Sequence, residues 1–76
     1  MNAQIIEPTI KVCLAEIHAK LKAAEQTAKA AQACAEAGGV IEAVRVSLDI
    51  EQLIYEAGRL HDAVALLARM ARIERD

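Results

Sequence analysis

Two cysteines, two histidines and a run of arginines are the residues of this chain that could do chemistry. Cys13 and Cys34 lie 21 positions apart in one stretch of helix-forming sequence. That is about 31 Å along a helix axis at ~1.5 Å per residue, too far for a disulfide within one chain. A nucleophilic thiol needs a base beside it. Cys13 and His18 are five positions apart, which puts them on different faces of a helix. Both cysteines therefore read as small apolar residues.

A metal site needs several converging ligands. His18 and His61 belong to no Glu-x-x-His or His-x-x-x-His pattern, so both read as surface histidines. Gly38-Gly39 is followed by no Lys-Ser/Thr and makes no phosphate loop. No cofactor and no catalytic group is expected, and the chain is read as a non-enzyme. Arg69, Arg72 and Arg75 recur every three residues near the C-terminus. They suit a solvated helix end that complements the helix dipole. They could also contact an anion or an acidic partner.

The elements that must position these residues are helices. The chain has 76 residues, a net charge of −2, and 55% hydrophobic residues with one aromatic. Seventeen of the hydrophobic residues are alanines. Ala, Glu, Gln, Lys, Leu and Arg dominate and favour helix, so the fold class is all-α. The acidic balance lacks the footprint of a dedicated nucleic-acid binder. Nucleic acid is therefore a secondary reading, a small regulator using the arginine stripe. Charge-free runs such as Ala30 to Ala35 are far shorter than the ~20 apolar residues of a membrane span. With no secretory signal and only two cysteines, the expectation is a cytoplasmic protein.

Three helices are expected in a single domain over residues 1–76, at about 9–37, 40–57 and 60–75. Pro8 suits a first helical turn, and Gly38-Gly39 suits a left-handed cap. The first helix carries a 3-4 seam: Ile10, Leu14, Ile17, Leu21, Ala24, Ala28, Ala31, Ala35. On the second segment, Glu42, Arg45, Asp49, Gln52 and Glu56 form a polar strip, with Glu51 inside a wide apolar arc. Gly58 offers a further turn, giving a small bundle of one long N-terminal helix and two shorter antiparallel ones. A rival seam runs straight past Gly58: Ala43, Val46, Ile50, Leu53, Ala57, Leu60, Val64, Leu67, Ala71. It supports the alternative, a two-helix hairpin dimerising into a four-helix bundle.

The stretch Tyr55-Glu56-Ala57-Gly58-Arg59-Leu60-His61-Asp62-Ala63-Val64-Ala65-Leu66-Leu67-Ala68-Arg69-Met70 resembles the helix-turn-helix of a tetratricopeptide repeat. The resemblance covers 16 of 76 residues. It implies a helical hairpin with a turn at Gly58 and a lean towards adaptor or chaperone work. The 34-residue period of that family is absent, so no solenoid is expected.

A three-helix layout leaves about 16 Å at the start of the first helix without a partner in the chain. Ile10, Leu14, Ile17 and Leu21 lie there and are the expected interface, either with a second copy or with another protein. A non-enzymatic interaction or assembly protein is the functional expectation.

Overall fold

The computed structural model describes residues 3–71. It is all-helical: α1 spans Ala3–Glu36 and α2 spans Val40–Ala71, joined into an antiparallel hairpin. At ~1.5 Å per residue, helices of 34 and 32 residues nearly match in length. The hairpin is a rod of 54 × 18 × 14 Å between Cα extremes. No helix among the described residues is long and apolar enough to cross a membrane.

The turn is built from the backbone outward. Gly38 has φ 99°, a region that costs an L-residue about 1–2 kcal/mol. The Gly39 N–H donates to the Cys34 carbonyl at 2.9 Å, and the Gly38 N–H donates to the Ala35 carbonyl at 3.0 Å. These two bonds satisfy the last carbonyls of α1 in a Schellman arrangement. The Gly39 carbonyl then accepts from the Ala43 N–H at 2.8 Å and opens α2.

Three expectations are corrected here. Gly58 does not end a helix, so the three-helix bundle gives way to the hairpin. The apolar seam past Gly58 lies along the whole of α1, and that packing outweighs the ~1 kcal/mol a helical glycine costs. Tyr55 to Met70 is accordingly continuous helix, without the turn that the tetratricopeptide resemblance implies.

Secondly, α1 begins before Pro8, which lies inside it. Pro8 has no N–H to give the carbonyl one turn back, but so near a helix start only one bond is lost. Among the described residues, Ile6, 2% exposed, is the one large side chain that is fully buried. Its burial contributes on the order of 1.5–3 kcal/mol and holds that first turn.

Thirdly, the seam of α1 is rotated. Ile10, Ile17, Ala24 and Ala31 face α2 as expected. Between them, Cys13, Lys20, Thr27 and Cys34 turn inward, while Leu14, Leu21 and Ala28 are exposed. The two columns flank the same central stripe of Ile10, Ile17, Ala24 and Ala31. In α2 the expected seam is seen from Ala43 through Ala57 to Ala71, with only Val46 at the exposed margin.

Candidate protein-interaction surface

The rotation of α1 gives the hairpin two unlike broad sides. One is charged. Lys20 Nζ lies 2.8 Å from Glu56 Oε1, joining the two helices at mid-length, and 3.9 Å from Glu16. Gln52 Nε2 donates to the other Glu56 oxygen at 2.7 Å. Arg45 pairs with Glu42 at 2.8 Å. The hydrogen bond to Glu56 raises the pKa of Lys20 above its ordinary value, against partial desolvation. The Gln52 hydrogen bond, with Lys20 second, holds the Glu56 carboxyl below its ordinary value. The polar strip of α2 read from the sequence thus includes one residue, Glu56, that bridges the helices.

The other side is apolar. Residues seven apart share a helix column. Leu14 and Leu21 follow Glu7 on α1, and Ile54 and Ala68 follow Val40 on α2. A cleft of about 370 Å³ is lined by Glu7, Ile10, Lys11, Val64 and Ala68. It places the columns of Glu7 and Ala68 on one side of the rod. Leu14, Leu21, Val40, Val44 and Ile54 are all substantially exposed there, Leu14 at 49% and Val44 at 56%.

Of the four interface residues expected from sequence, Leu14 and Leu21 lie on this side. Ile10 and Ile17 are half-buried towards α2. The unpartnered overhang that singled them out does not exist, because α2 runs the full length of α1. The sequence places Val40, Val44 and Ile54 in the wide apolar arc of the second segment without singling them out as an interface. Their signal is a second 3-4 seam on α2, Val40, Val44, Ser47, Glu51, Ile54, Gly58, His61, Ala65, Ala68, hidden by the stronger first seam. Glu51, Gly58 and His61 are exposed along it.

Other chemistry is sparse. Arg69 is exposed on α2, and Arg72 and Arg75 lie outside the described residues. Cys13 and Cys34 are free and half-buried. The Cys34 thiol donates to the Gly39 carbonyl at 3.3 Å. Among the described residues, no three His, Cys, Asp or Glu side chains converge in a way that could hold a metal ion. No family model, no curated protein and no solved structure matches the chain.

Proposed function

We propose that the chain is a non-enzymatic helical interaction or assembly protein, adaptor- or chaperone-like, that works by covering its apolar broad side with protein. One observation carries this reading. Among the described residues the buried core is Ile6 and four alanines, while thirteen large hydrophobic residues stand exposed. A chain this short is marginal on its own and draws on a staple or a partner. Each of Leu14, Leu21, Val40, Val44 and Ile54 adds roughly 1.5–3 kcal/mol if it passes from exposed to buried. The free thiols suit a reducing compartment such as the cytoplasm.

Light scattering and thermal melting test this reading with Leu21→Glu, Ile54→Glu on the apolar side and Arg45→Glu on the charged side. The apolar-side double variant should lose mass and stability. The charged-side variant should keep both. A wild type that is monomeric and melts cooperatively, with the double variant unchanged, would reject the reading.

A further inference from the structure

We infer that the occupant of the apolar side is a second copy of this chain, laid antiparallel so that the two Gly38 turns lie at opposite ends. This rests on the interaction reading above and names its partner and geometry.

The size is sufficient. A broad side measuring 54 × 18 Å between Cα extremes can supply the ~800 Å² per partner that a standard specific interface buries. A closed pair of identical chains must use a self-complementary patch, in which residue i meets j and j meets i. The second seam of α2 has this property about the level of Glu56. With the two copies centred where Lys20 meets Glu56, each α2 lies against the α2 of the other copy. Ile54 then stands level with Gly58 of the second copy, Val44 with Ala68, and Glu51 with His61. The first two pairs set a large residue on a small one, the third sets an acid against an imidazole, and Ser47 stands level with Ala65.

This arrangement accounts for two features of the hairpin. Gly58 lies inside a helix, has no positive φ, and has nothing within 4 Å of where a Cβ would stand. No contact within one chain calls for glycine there, whereas the branched Ile54 of a second copy does. The cleft beside Ala68 at the open end is the place that Val44 of the second copy reaches. On α1, Leu14 falls within a turn of Ala28 of the second copy, and Leu21 lies beside Leu21 of the second copy near the centre.

Turning the second copy so that both Gly38 turns lie at one end sets α1 against α2. The matching then fails. Leu21 meets Ile54, Ala28 meets Ser47, and Glu25 stands level with Glu51, carboxylate against carboxylate. The open-end cleft faces its own copy and leaves a void. Like charges set opposite each other are unfavourable, whereas the antiparallel pairing sets Glu51 against His61.

A spin label at Glu36→Cys, an exposed position at the turn end of α1, tests the geometry in a Cys13→Ala, Cys34→Ala chain. The expected result is one long label-to-label distance of about 45–50 Å, from ~1.5 Å per helical residue. In the same background, Val44→Cys with Ala68→Cys should oxidise to a covalent dimer. These two positions are about 36 Å apart within one helix and cannot bridge in a single chain. A dimer whose Glu36 labels lie within about 20 Å of each other overturns the antiparallel geometry and leaves the interaction reading standing. A folded wild type that is monomeric, and indifferent to Leu21→Glu with Ile54→Glu, overturns both. Gly58→Leu supplies a third readout, since it favours helix yet occupies the space assigned to Ile54. A dimer of unchanged mass and melting temperature in that variant also overturns the proposal.

Discussion

Lys20 on α1 and Glu56 on α2, 36 positions apart in sequence, meet at 2.8 Å across the middle of the hairpin. Lys20 holds an inward position on α1, and its ammonium reaches the charged rim while its stem covers the seam. The pair joins the two helices at mid-length on the charged side of the hairpin.

The pair has a defined pH window. Glu56 is shifted below its ordinary 4.5, so its contribution is present above that value and is lost as the pH falls through the shifted pKa. Lys20 is shifted above its ordinary 10.5, so its contribution is present below that value and is lost as the pH rises through the shifted pKa. Melting temperature measured against pH should therefore show a small plateau advantage for wild type over Glu56→Gln. The two curves should converge at acid pH. Equal stability of the two chains at pH 7 would show that the bridge contributes nothing. Because the groups are partly solvated, added salt should shrink the difference.

The turn makes a prediction at Gly38. Alanine at φ 99° should cost about 1–2 kcal/mol, read as a lower midpoint in chemical denaturation. An unchanged midpoint would mean that the turn rearranges freely.

Gly39 fails for a different reason, and the two glycines can be told apart. A Cβ at Gly39 would stand 3.0 Å from the Cys34 sulfur and 3.4 Å from the Cys34 carbonyl oxygen. Gly39→Ala should destabilise the hairpin, and Cys34→Ala should relieve part of the loss. In a double-mutant cycle, coupling of roughly 0.5 kcal/mol or more is the expected outcome. Additive effects would place the strain elsewhere.

Gly58→Ala separates backbone from assembly. In a chain kept monomeric by Leu21→Glu and Ile54→Glu, the substitution should raise helicity, since alanine is favoured over glycine by about 0.8–1 kcal/mol in a helix. Lower helicity there would contradict a continuous α2.

The architecture was half legible from the residues. The all-α class and the Gly38 turn follow from composition and punctuation. Two questions turned on interactions between elements. Gly58 reads equally as a cap and as a helical residue, and only the fit of α2 along α1 separates the two. On α1, hydropathy favours Leu14 and Leu21 over Cys13 and Lys20 for the inner column. The structure takes the other column, with Lys20 inward and bridged to Glu56. The leucines thereby pass to the outer surface, which is where the candidate site lies.

The distribution of side-chain size along the seam bears on how the hairpin closes. Near Gly38 the facing residues of α1 are small (Ala24, Thr27, Ala31 and Cys34), and the large ones (Ile6, Ile10 and Ile17) lie at the far end. Zipping from the turn closes short loops first, where the entropic cost is least, but each early step buries little. The large side chains of α1 engage last, across the longest loops. A half-zipped chain therefore lacks the contacts of the large α1 side chains, and a single cooperative melting transition is the expected outcome in calorimetry.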